Sequence, residues 1–162
     1  MEFIEALKET EFGKYLVTLI VSMVPVLELR GAIPIGVGLG LSHFEAMVVS
    51  MIGNMLPVPF IILFIRPIFK WMTAKSERLG RLVKKLEAKA EGKWEQVHRY
   101  QFFGLAIFVG IPLPGTGAWT GALIAAVMDM RMRSALPSIL IGVLIAGFLV
   151  TGLTYGFTSI FF

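Results

Sequence analysis

The chain has 162 residues, of which 56% are hydrophobic and only 16% charged, with 15 Lys/Arg against 11 Asp/Glu, a net charge of +4 and a mean hydropathy of +0.79. Soluble domains average about 25% charged residues, so the composition reads as an all-α integral membrane protein, and the one polar block, residues 66–101, lacks the core of a separate soluble domain. The chain contains no cysteine, which excludes disulfides, thiolate metal sites and thiol nucleophiles.

The N-terminus, MEFIEALKETEF, carries four glutamates and no basic n-region, so no cleaved signal peptide is expected. Phe3, Ile4, Leu7 and Phe12, with Glu2, Glu5 and Glu9 between them, have the spacing of a short amphipathic helix at the membrane interface.

Residues 24–40, VPVLELRGAIPIGVGLG, place Glu28 and Arg30 in an apolar run broken by Pro25, Pro34 and four glycines. Intramembrane charges cost several kcal/mol unless they face a cavity or a partner, and irregular backbone survives at depth only where protein or water satisfies it. The pair could instead lie at headgroup level between two helices. The flanks argue otherwise: uncharged residues 15–27 and 31–42 are both short of the about 20 needed to cross. Two half-length segments with charges between them predict a re-entrant hairpin with its tip near mid-membrane.

After a polar break at Ser42, His43 and Glu45, expected to be solvated, residues 46–65 form an uncharged stretch long enough to span. Pro57 and Pro59 should kink it, and Asn54 near its middle needs a hydrogen-bond partner, either a neighbouring helix or a substrate. Residues 66–101 carry ten Lys/Arg against four acids, and Leu79, Leu82, Val83, Leu86 and Ala90 recur at helical spacing. This is an amphipathic basic connector, placed in the cytoplasm by its charge, with its greasy face on the membrane surface or a partner helix. The interleaved Glu77, Glu87, Glu91 and Glu95, and the tether between membrane segments, argue against nucleic acid as its partner.

Residues 102–128 repeat the first layout: half-length run, break at Pro112, Pro114, Gly115 and Gly117, half-length run. A DMRMR turn at 129–133 leads to a second span within 134–162. Pro25 and Pro112, and the turns beginning at Ser42 and Asp129, are both 87 residues apart. The chain therefore reads as one membrane domain, 1–162: a first repeat at 1–65, the connector at 66–101 and a second repeat at 102–162. One full crossing between the hairpins would turn the halves opposite ways, giving an inverted repeat as in secondary transporters. Charge does not separate re-entrant from fully crossing hairpins, because 12 of the 14 Lys/Arg outside the first tip lie inside in either topology. Helix breaks in the middle of both segments favour the re-entrant form.

At the tips, freed N–H groups and half-helix N-termini favour an anion or carboxylate. Gly115 and Gly117 allow close backbone approach, and Thr116 is expected to cap the outgoing half-helix, although the loop could equally be a tight packing corner. Glu28 is expected to exchange protons, with Arg30 either holding it ionised or receiving an anionic group. His43 and Glu45 are too few for a metal site. The sequence offers no nucleophile beside a base, no phosphate-binding loop and no zinc signature, so neither enzyme activity nor a cofactor is expected.

ELRGAIPIG, followed by a span, a basic connector and PLPGTGAWTGALIA, resembles the small multidrug export protein family, itself similar at a distance to the DedA and VTT-domain membrane proteins. The resemblance covers nearly the whole chain and implies paired re-entrant loops facing each other. It implies functional roles for Glu28 and Arg30 in the first loop, and for Pro112, Pro114, Gly115, Thr116 and Gly117 in the second. Unlike DedA proteins, the second loop here carries no arginine or carboxylate. The expected function is a proton-coupled secondary transporter in the cell membrane. A flippase or scramblase for an isoprenoid phosphate and a non-transporting scaffold are the alternatives. Glu28, Arg30, Pro34, Asn54 and the second-loop residues are the expected sites for protons and an anionic or lipidic substrate. The expected partners are membrane lipid and further copies of the chain, which would cover irregular backbone.

Overall fold

The computed structural model describes residues 10–94 and 100–161. All regular structure among these residues is helical: α1 (Glu11–Met23), α2 (Glu28–Gly38), α3 (His43–Met55), α4 (Pro57–Lys75), α5 (Glu77–Trp94), α6 (Gln101–Gly110), α7 (Ala118–Val127) and α8 (Met132–Phe161). Most of the interfacial helix expected at the N-terminus lies outside the described residues, and Phe12 belongs to α1.

Both hairpins break for the same local reason. Pro25 and Pro112 push the preceding residue out of the helical region: Val24 (φ −74°, ψ 128°) ends α1 and Ile111 (φ −74°, ψ 120°) ends α6. Both outgoing half-helices also stop the same way. Leu41 N–H donates to Gly36 O and Gly40 N–H to Val37 O after α2, while Met130 N–H donates to Ala125 O and Asp129 N–H to Ala126 O after α7. These are Schellman motifs, with Gly40 (φ 96°) and Asp129 (φ 58°) in the left-handed position.

Ser42 is exposed, as expected of a solvated break, but His43 and Glu45 are not in a turn. The three start α3 through a capping box, in which the Ser42 hydroxyl accepts from Glu45 N–H and the Glu45 carboxylate accepts from Ser42 N–H. The Glu45 carboxylate also accepts from the Tyr15 hydroxyl at 2.6 Å, and His43 Nε2 lies 3.2 Å from Thr158 Oγ1. α3 and α4 join at Leu56, directly before Pro57, where the ring costs the span one backbone hydrogen bond. Together they form one helix of 33 residues, His43–Lys75. This helix and α8 are both long and apolar enough to cross a membrane, consistent with a membrane protein. Their outward faces carry exposed Phe60, Leu63, Phe64, Phe148 and Leu153.

The connector helix α5 turns back along α4 after Ser76, with Gly80 against Thr73. Its buried stripe is Gly80, Val83 and Ala90, while Leu82, expected on the greasy face, is 47% exposed. The face that packs is therefore narrower than the apolar spacing suggests. Leu29, Ile33, Leu105, Val109, Ile124, Ile139 and Val143 form the centre of the core.

Small residues set the helix spacing. α6 runs parallel to α8, with the Ser138 hydroxyl donating to Phe102 O, Gly142 against Ala106 and Val109, and Gly110 against Ile145. α1 meets α3 where Gly53 faces Ser22, and α2 meets α1 and α3 where Gly36 faces Thr18 and Ala46. A Cβ at Gly53 would lie 1.9 Å from Ser22 Oγ and 2.6 Å from Leu19 O, whereas one at Gly92 would meet nothing within 4 Å. Gly53→Ala is thus expected to destabilise by about 1–3 kcal/mol through overpacking, lowering the melting temperature of purified protein by several degrees. Gly92→Ala should leave it unchanged or slightly raised.

Candidate functional site

The two hairpin tips touch, and each supplies the helix caps that the other lacks. α7 starts at Gly117, which has no side chain to cap the helix. The acceptor comes from the other hairpin: Glu28 Oε1 takes the Trp119 N–H at 3.0 Å, 91 residues away. Thr116 therefore does not cap the outgoing half-helix. Its hydroxyl turns back to Ile111 O and Leu113 O (both 2.7 Å) and accepts from Leu113 N–H. It holds the loop, while the carboxylate sits against the positive end of α7.

Arg30 serves the opposite pole. Its guanidinium donates to Leu113 O, to Ile111 O at 3.1 Å and to Thr116 Oγ1 at 3.0 Å. The first two are carbonyls at and just beyond the C-terminal end of α6, where a cation is favoured. Glu28 and Arg30 thus separate. Among the described residues the ion pairs are Lys14–Glu11 and Arg66–Asp129, not Glu28–Arg30. The second loop answers the first, since the Trp119 indole N–H donates to Met23 O at 3.0 Å and closes the end of α1.

The local sequence explains how these groups are presented. Leu113 to Thr116 form a turn closed by Thr116 N–H donating to Leu113 O at 3.2 Å, with Pro114 and Gly115 (φ 79°) at its centre, the pattern of a type II turn. Gly117 is required for a different reason: a Cβ there would lie 1.6 Å from Glu28 Oε2, so the glycine leaves room for the acid. Glu28 is 4% exposed and holds φ 47°, beside Val26 at φ 78°. Such left-handed positions cost non-glycine residues about 1–3 kcal/mol and persist where surrounding contacts over-determine them.

Arg30, Pro34 and Pro112 also line one side of a groove of about 500 Å³, walled opposite by Val150, Leu153, Thr154 and Phe157 of α8. The groove is largely apolar, with one guanidinium at its edge. A larger cavity of about 610 Å³ lies between α4 and α5, beside Arg66, Lys70 and Glu87, away from the tips. Asn54 is outside the tip's hydrogen-bond set. It is 1% exposed and its Oδ1 has no partner. Pro114 and Gly115 are exposed on the far side of the loop.

Two contributors have no local signal in the sequence. Lys93 of α5 donates to Gly115 O at 2.6 Å and lies over the Phe108 ring. In a helix with so many lysines, nothing distinguishes the one that reaches the tip. The α8 wall of the groove likewise reads only as part of a span.

A family model described as "Putative small multi-drug export protein" matches residues 28–149, from the first acid of the tip to the middle of α8. No curated protein and no solved structure matches the chain.

The close fit at Gly117 gives a direct test. Gly117→Ala should expel the Glu28 carboxylate and leave the α7 amide uncapped, costing about 1–3 kcal/mol for a buried donor without its acceptor. Adding Glu28→Ala should cost much less than it does in the unaltered chain, because the amide has already lost its acceptor and the clash disappears. Thermal unfolding of the single and double variants measures the coupling.

Proposed function

The chain belongs to the small multidrug export protein family, and from that premise we propose that it is a proton-coupled secondary transporter whose site lies where the hairpin tips meet. The observation that carries this reading is the reciprocal capping: Glu28 on α7 and Arg30 on the end of α6, with an apolar groove beside the guanidinium.

We read both hairpins as re-entrant and the halves as an inverted repeat. In support, α6 and α7 have ten residues each, about 15 Å at 1.5 Å per residue, half of a hydrocarbon core of about 30 Å. The contacts also support it. α1 and α3 run side by side from the end at His43, whereas α6 runs parallel to α8 from the end near Phe102 and Ser138. The hairpins then enter from opposite membrane faces. The connector faces the cytoplasm in this reading, the membrane is the cell membrane, and a second copy of the chain covers lipid-exposed loop backbone.

The mechanism follows from the cap. An ionised Glu28 accepts the Trp119 amide and complements the α7 dipole. Once protonated it is a weaker acceptor without charge, and the contact between the tips loosens. An anionic or amphiphilic substrate in the groove would compete with the carbonyls of Ile111 and Leu113 for the Arg30 guanidinium. Proton binding and substrate binding thus bias the same contact, which is the requirement for coupling. No comparable observation favours the isoprenoid-phosphate flippase or the scaffold.

Liposome uptake of one anionic dye, anilinonaphthalene sulfonate, and one cationic dye, ethidium, tests the proposal. A pH gradient should drive uptake of at least one. Glu28→Gln should lose at least tenfold of the gradient-dependent rate, and unchanged gradient dependence would reject the proton role.

A further inference from the structure

Helical hydroxyls in this protein characteristically bond back to their own helix. Thr18 donates to Lys14 O at 2.8 Å, Thr73 to Phe69 O at 2.9 Å and Thr154 to Val150 O at 2.8 Å. Ser50 on α3 and Thr151 on α8 do not. Ser50 Oγ, Thr151 Oγ1 and Asn54 Oδ1 are buried without a partner, and the Ser50 and Asn54 residues are 0% and 1% exposed.

These atoms belong to one seam. α3 and α8 pack antiparallel, because His43 meets Thr158 at one end and Met51 meets Gly147 further in. Thr151 lies one turn from Gly147 toward Thr158, and Ser50 and Asn54 lie on successive turns of α3, between the side that meets α2 at Ala46 and the side that meets α8 at Met47 and Met51. α2 is antiparallel to α3 with Gly36 against Ala46. Stepping eight residues along each (36 to 28, 46 to 54) brings Asn54 to the level of Glu28. The seam therefore runs from the His43–Thr158 pair at one end of the span to the depth of the tip acid.

Leaving such atoms dry is costly, and buried water usually supplies the missing bonds where several polar groups converge. We propose that Ser50, Asn54 and Thr151 hold a file of water molecules between α3 and α8 that gives protons access to Glu28 from the membrane face at His43. This rests on the proton-coupled reading above and adds the route and its side. Entry is from the end of α3 opposite to α5, so in that reading the file opens away from the cytoplasm.

The other titratable groups near Glu28 leave it the proton acceptor at this depth among the described residues. On α2 itself there is Arg30, bound to the second loop. α1 brings Glu11 and Lys14, paired together, and Tyr15, bonded to Glu45 of α3 near the seam's outer end. α8 brings Arg133 at the far end and Tyr155 beside His43. Lys93 is held by Gly115 O.

Two measurements on the full chain test the file separately from the transport reading. The first is thermal unfolding of the isosteric Thr151→Val variant and of Ser50→Ala/Thr151→Val. If water bridges these hydroxyls, the melting temperature should fall; an unchanged or raised temperature means a dry seam and overturns the proposal. The second is gradient-driven uptake of the two dyes in liposomes. The double variant should lose at least tenfold of the rate, and an undiminished rate would overturn the access route. If the unaltered chain takes up neither dye under a pH gradient, the transport reading and the route fail together, while the unfolding series still decides whether the seam holds water.

Discussion

A helix that stops inside a fold leaves up to four amide hydrogens at one end or four carbonyl oxygens at the other without partners. Ending four half-helices near one point multiplies that problem, and the arrangement is tolerable only if the ends satisfy one another. Here they do. The carboxylate of Glu28 takes an amide of α7, the guanidinium of Arg30 takes carbonyls at the end of α6, and the Trp119 indole takes the last carbonyl of α1. Each charge also faces the pole of opposite sign, so capping and electrostatics act in the same direction.

The surrounding packing allows that encounter. Gly36, Gly53 and Gly142 stand where a single methyl group would collide with the neighbouring helix, and such small residues let helices approach where no aqueous hydrophobic effect drives them together. At the tip the same device works at atomic scale, since Gly117 makes room for a carboxylate rather than a backbone. α5 adds a third support by pinning the second loop through Lys93. Its buried face is narrow, limited to Gly80, Val83 and Ala90.

Much of this was legible in the residues. Proline after a half-length apolar run predicts where α1 and α6 stop, because the steric demand of proline on its predecessor is local. Glu28 and Arg30 stand out as charges in an apolar run, and Gly117 as a residue allowing close approach. The roles were harder to read. Thr116 before a helix looks like a cap, but its hydroxyl is taken by the tight turn behind it, and the true cap comes from 91 residues away. Ser42, His43 and Glu45 look like a solvated break because polarity alone does not separate a loop from a capping box. The spacing of leucines in α5 marks an apolar face but not which part of it finds a partner. In each case the missing information is tertiary: the identity of the acceptor depends on what the fold brings across.

The joint at Leu56 has a mechanical consequence. α3 packs with α1, α2 and α8, whereas α4 packs chiefly with α5 and α7, so the long helix that looks like one rod divides its two lengths between different bodies. The division falls at the depth of the tips, where the proline ring has already removed a rung from the helix ladder. Flexing there would swing α4, α5 and α7 about a pivot level with Glu28, opening or closing the contact between the tips while each group keeps its internal packing.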